Sequence, residues 1–202
     1  MVSLSIGWLV NMQVMDASGR ILQAEGSGAG VLLALIADST LGAPAASFDV
    51  QNIPATYAHL KMVGSVRPVN AGLMFPTLRA NNDSGANYLE MAIEFNAGAT
   101  HNGYLVNSMT SFWGNGTLRH YGGGTALYFS PIEIDLFNYA NTTNYKNAKI
   151  MTTYLDYAIA NYHDLGWSVW KNAAAINRVT YFYLTGNILA ASRLTMYGLG
   201  VG

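Results

Sequence analysis

The chain has 202 residues, enough for one full-sized core, and 51% of them are hydrophobic, which excludes a disordered chain. Only 10% are charged and the net charge is −1, with Lys and Arg scattered, which excludes the basic clusters that nucleic-acid binding uses. The lack of cysteine excludes disulfides, thiolate zinc sites and cysteine nucleophiles.

Alternation with a period of two dominates the chain from its start. Val2, Leu4, Ile6, Trp8, Val10, Met12 and Val14 occupy every second position, as in a strand with one buried side. Asp16-Ala17-Ser18-Gly19 has turn chemistry, Ile21-Leu22 begins a return strand, and residues 25–30 are glycine-rich and flexible. Residues 1–30 are therefore expected as an N-terminal β arm or hairpin, and residues 31–202 as the main domain. The longest apolar run, near residues 29–37, is too short for the ~20 residues of a membrane span. No Lys or Arg precedes Arg20, so no secretory signal is expected either.

Residues 31–36 are apolar throughout and fit either a doubly buried strand or a short core helix. A loop is expected over 38–44 and a strand over 46–50. In 57–67, Leu60, Met62 and Val66 face one way and His59, Lys61, Ser65 and Arg67 the other. The clearest alternation is in 88–95, where Leu89, Met91, Ile93 and Phe95 are interleaved with Glu90, Ala92 and Glu94. Its glutamates are expected on the solvated face. Ile132, Ile134 and Leu136 alternate in the same way with Glu133 and Asp135. Further strands are expected over 104–112, 127–130, 148–154, 168–170, 176–184 and 193–199, while 153–162 has some helical character. Many short strands joined by Gly- and Asn-rich turns predict an all-β, antiparallel β-sandwich.

Residues with chemical potential have plain structural readings. His59, His101, His120 and His163 lie far apart, at no metal-ligand spacing. Gly122-Gly123-Gly124 precedes an apparent strand, not the helix that a phosphate cradle needs. Asn81-Asn82-Asp83-Ser84-Gly85 offers oxygen ligands but lacks the spacing of a calcium loop, and it reads as a turn. Glu90 with Glu94, and Glu133 with Asp135, would share a strand face as a glycosidase pair does, but solvated charge is the simpler expectation. No catalytic, cofactor-binding or metal-binding residue is predicted, and no cofactor. Trp8, Trp113, Trp167, Trp170 and the many tyrosines suit core and subunit interfaces ahead of sugar stacking.

Several blocks resemble a recurrent family of tailed-bacteriophage virion structural proteins. They are Phe48-x4-Ile53-Pro54-Ala55-Thr56-Tyr57-x-His59-Leu60 with Arg67, and Leu78-Arg79-Ala80-Asn81-Asn82-Asp83-Ser84-Gly85-Ala86-Asn87-Tyr88. Ile134-Asp135-Leu136-Phe137-Asn138-Tyr139 with Tyr145-Lys146, Ala175-Ile176-Asn177-Arg178-Val179, and Leu194-Thr195-Met196-Tyr197-Gly198-Leu199 complete the set. The resemblance spans roughly residues 40 to 200, with Ala80 and Asn82 where the family usually has an aromatic and a glycine. It implies a jelly-roll-like sandwich, often trimeric, without catalytic residues.

The function expected from this resemblance is a capsid decoration (cement) protein of the virion, a homotrimer that contacts the major capsid protein or other virion proteins. Neither nucleic acid nor membrane is an expected partner. A tail-fibre or receptor-binding domain recognising host surface glycans is the alternative, and a glycan-cleaving virion enzyme a third reading. The expected assembly contacts are Val2, Leu4, Ile6, Trp8 and Val10, because an isolated strand leaves its backbone groups and its apolar face without partners.

Overall fold

The computed structural model describes residues 14–15, 21–22, 33–96, 101–113, 118–122, 128–155 and 161–200. Every regular element among them is a β-strand. The chain divides into two units, residues 1–30 and 31–202. In the first, β1 (Val14–Met15) pairs antiparallel with β2 (Ile21–Leu22), while the turn expected over Asp16–Gly19 lies outside the described residues. Val2, Leu4, Ile6, Trp8 and Val10 lie outside the described residues.

The second unit is an antiparallel β-sandwich. Its strands are β3 (Leu33–Thr40), β4 (Ser47–Val50), β5 (His59–Val66), β6 (Leu73–Met74), β7 (Pro76–Ala80), β8 (Tyr88–Asn96) and β9 (His101–Met109). They continue with β10 (His120–Tyr121), β11 (Ser130–Phe137), β12 (Lys146–Leu155), β13 (Asn161–Trp170), β14 (Val179–Tyr183) and β15 (Arg193–Leu199). The large sheet has the order β3-β15-β5-β11-β12-β13-β8-β9; a smaller sheet has the order β4-β14-β7, and β6 pairs with β10. Leu60, Met62, Ile134, Leu136 and Ile150 of the large sheet share one buried cluster with Phe48, Leu78, Val179 and Tyr181 of the small one. Each large apolar side chain in that cluster contributes on the order of 1.5–3 kcal/mol by leaving water.

In β5 and β11 the alternation of the sequence translates directly, with Leu60, Met62, Val66, Ile132, Ile134 and Leu136 all buried. The other face of this pair carries Lys61, which bridges Glu133 and Asp135, and Lys149 of β12, 2.8 Å from Asp135.

Other expectations need correction. Of the apolar run 31–36, the described residues 33–36 form neither a core helix nor a doubly buried strand. From Leu33 onward this segment is the edge strand β3, with Leu33 and Leu35 exposed. The loop expected from 38 begins only at Leu41, because Asp38 stays in the sheet opposite Thr195. Its carboxylate accepts from Arg193 Nε at 2.9 Å and Thr195 Oγ1 at 2.9 Å. The helical character of 153–162 is overridden as far as Leu155 and again from Asn161, which face each other across β12 and β13. The strand expected over 104–112 runs instead from His101 to Met109, and that over 176–184 is confined to Val179–Tyr183. Of the strand expected over 127–130, the described residues 128–130 have only Ser130 in a strand, and the sequence pattern does not anticipate β6, β7 and β10.

Gly166, in mid-strand, explains how a tryptophan lies on the inner face of this sheet. A Cβ there would stand 2.6 Å from Trp113 Nε1 and 2.9 Å from Trp113 Cδ1. Trp113 itself has a left-handed backbone (φ 55°), an unfavourable geometry for a bulky residue that its packing against Phe112 and Gly166 must hold. Gly166→Ala is therefore expected to destabilise the fold by about 1–3 kcal/mol through overpacking, read as a lower urea midpoint.

Candidate functional site

The face assignment of β8 is the main reversal. Glu90 and Glu94 are 1% and 2% exposed, whereas Met91 and Phe95 are 47% and 39% exposed. The glutamates point into the sandwich and the apolar residues point out. Aromatic anchors account for this. Tyr88, at the start of the strand, stacks on Trp170 at 6.3 Å and meets Phe112 edge-on at 4.9 Å. Its hydroxyl also donates to the Asp83 carbonyl at 3.1 Å. With Tyr88 inside, every second residue after it, including Glu90 and Glu94, must also be inside.

Two distinct surfaces result. On the inner face, Glu94 lies directly opposite Asp164 of β13, and Glu90 opposite Ser168. Asp164 is 1% exposed. The segment carrying Arg119 and His120 supplies the counter-charge. Arg119 Nη1 sits 2.5 Å from Glu94 Oε2, and Arg119 Nη2 donates to the Tyr104 hydroxyl at 3.2 Å. The Arg119 backbone N–H donates to Asp164 Oδ2 at 2.8 Å. Burial pushes the Asp164 carboxyl up to about 7; the Glu94 charge adds to this, while the Arg119 amide and guanidinium oppose it.

His120 is fully buried beside this group. Nδ1 is 2.8 Å from the Tyr183 hydroxyl and Nε2 is 2.7 Å from Thr152 Oγ1. The Thr152 hydroxyl donates to the Pro131 carbonyl at 2.7 Å, so it must accept from Nε2–H, and Nδ1 accepts from Tyr183. Desolvation holds the imidazole neutral and lowers it to about 3.

Two carboxylates on neighbouring strands, one protonated near neutrality and one ion-paired, have the elements of an acid/base pair. Here, however, both are almost fully buried, Glu94 paired with the Arg119 guanidinium and Asp164 bonded to the Arg119 backbone N–H. A cavity of about 320 Å³ lies elsewhere, lined by Ile36, Phe48, Val50, Met62, Leu194 and Met196.

The other singled-out residues have protein partners. Asp83 accepts from Gly85 N at 2.8 Å, Asn87 Nδ2 at 2.9 Å and Trp170 Nε1 at 2.7 Å. Asn81 and Asn82 adopt left-handed geometry, and Asn81 Oδ1 accepts from Asn177 N at 3.0 Å, so the segment is a turn that ties β7 to the segment before β14. His59 Nδ1 accepts from Asn138 N at 3.1 Å, and His163 is exposed. Among the described residues no group of three His, Asp or Glu is placed to hold a metal ion.

The second surface is the outer face of β12, β13, β8 and β9. Lys149, Trp167, Met91 and Leu105 form one cross-strand row; Met151, Leu165 and Ile93 form the next, and His163 lies opposite Phe95. Leu105 and Met151 are 74% and 49% exposed and Trp167 is 37% exposed, while Leu89, Ile93, Leu165 and Val169 are half-buried. Alternation in the sequence marks these side chains but assigns those of β8 to the core. Comparison of the chain with protein-family models, curated proteins and solved structures finds no match.

Proposed function

We propose that this chain is a structural subunit of a tailed-bacteriophage particle, a capsid decoration protein that stabilises the head shell through β-sandwich contacts, and not an enzyme. The observation that carries this reading is the apolar outer face of β12, β13, β8 and β9. A sheet that already buries one face against a core normally presents a polar second face to water. Here Met, Leu, Trp and Phe occupy it, residues suited to the centre of a protein interface. A surface with so few charges is also cheap to desolvate, since burying an ion costs far more than burying an amide or hydroxyl. The tail-fibre reading fits less well. A glycan platform sets polar groups around its aromatic rings, whereas Trp167 has Lys149 on one side only and Met91 followed by Leu105 on the other.

Quantitative mass spectrometry of purified virions tests the proposal. Hundreds of copies per particle are expected for a shell protein that follows capsid symmetry. A few dozen or fewer would support the tail reading, and absence from particles would overturn both.

A further inference from the structure

We infer that the outer face of β12, β13, β8 and β9 is the contact between copies of this chain. The inference rests on reading the chain as an assembly subunit and names the partner of that surface. Area is the first argument. Met91, Phe95, Leu105, Met151 and Trp167 are 47%, 39%, 74%, 49% and 37% exposed. At roughly 150–250 Å² per large side chain, these five present on the order of 500 Å². Two such faces bury on the order of 1,000 Å² before any flanking residue is counted, the size at which specific interfaces begin.

Charge is the second argument. Lys149 stands at the border of the apolar rows, and its ammonium is turned to Asp135, 2.8 Å away on the neighbouring strand β11. Beyond Lys149 these rows carry no acid, and their bases are His163 and His101, which lie opposite Phe95 on either side at one end of the face. Apposing this face with its own copy therefore brings no like charges together at the centre, so it is self-complementary as a symmetric contact requires. Flat antiparallel sheets pack face to face at about 10 Å by interlocking such side chains. Either two faces meeting directly or three meeting about one axis would cover it.

The test is light scattering of the full chain at micromolar concentration, alongside Met91→Lys and Leu105→Lys. The wild-type protein is expected as a dimer or trimer, and each variant as a monomer with an unchanged β-sheet circular dichroism spectrum. A monomeric wild type, or folded variants that keep the wild-type mass, would overturn the inference. Methionine oxidation of the wild type guards against variants that fail to fold. Met91 and Met151 should be protected in the oligomer and oxidised several-fold faster on dilution to monomer. Equal rates in both states would overturn the assignment of this face, as would protection of both in a monomer, where another part of the same chain must cover them. The virion count is independent. A monomer present at hundreds of copies per particle would remove this inference and leave the decoration reading, and an oligomer absent from particles would do the reverse.

Discussion

Asp164→Asn is expected to stabilise the protein above pH 7 by about 4 kcal/mol and to change little near pH 4. The sign follows from where the proton sits. The Asp164 carboxyl is raised to about 7 in the folded state against an ordinary value of 3.8. Between these two values the folded chain keeps a proton that the unfolded chain has released. Folding at this site therefore becomes less favourable as pH rises from about 4 to about 7, and the penalty is constant above that. An asparagine carries no charge at any pH, so it escapes the penalty. Its side-chain oxygen can still accept from the Arg119 amide, as Asp164 Oδ2 does at 2.8 Å. Urea midpoints measured from pH 4 to pH 8.5 check this. The curves of the wild type and of the Asp164→Asn variant should diverge steadily with rising pH up to about 7. Parallel curves would show that Asp164 ionises normally in the fold.

This site shows how far alternation carries and where it stops. A period of two identifies a strand but not its inner face, because both faces of β8 have the same spacing. In β5 and β11 the apolar set is the buried set, and the sequence reveals the strands together with their faces. In β8 the same rule places Glu90 and Glu94 in water. Tyr88 and Trp170 decide the register, and neither belongs to the alternating apolar set that defines the strand. The buried polar centre is illegible for a related reason. Glu94, Tyr104, Arg119 and Asp164 come from separate segments, and only the antiparallel pairing of β8 with β13 and β9 brings Glu94, Asp164 and Tyr104 to the place where Arg119 meets them. Arg119 in the sequence is one cation among scattered others. Its role depends on Glu94 facing inward, which the alternation of β8 excludes. Strand β7 escapes sequence reading because Pro76 and the polar turn after Ala80 leave only a short run without alternation.

His120→Gln is expected to tilt the pH dependence the opposite way and to lower stability at neutral pH by about 2–4 kcal/mol, from loss or distortion of two buried hydrogen bonds. His120 is lowered to about 3 in the fold from an ordinary value of 6.5, with burial as the cause. Below pH 6.5 the unfolded chain takes up a proton that the folded chain refuses. Stability at this site is therefore full above pH 6.5 and lost as pH falls toward 3, by about 5 kcal/mol over the whole window. Asp164 works in the reverse direction over almost the same range. From about pH 4 to about pH 6.5 the two contributions have opposite slopes and nearly cancel. Asp38, Asp49 and Asp83 do not disturb this balance, because each is lowered from 3.8 and loses its contribution only under more acidic conditions. The wild-type protein should thus have a nearly flat stability profile from pH 4 to pH 6.5 although Asp164 and His120 are both buried and strongly shifted. Removing either group exposes the other. In Asp164→Asn stability should climb with pH across this window, and in His120→Gln it should fall. The double variant should be flat again and within about 2 kcal/mol of the wild type, because the removed titration penalties offset the lost hydrogen bonds. Denaturant midpoints at half-unit pH steps on all four proteins distinguish these slopes. If both single variants keep the flat wild-type profile, the buried pair does not control the pH response of the fold.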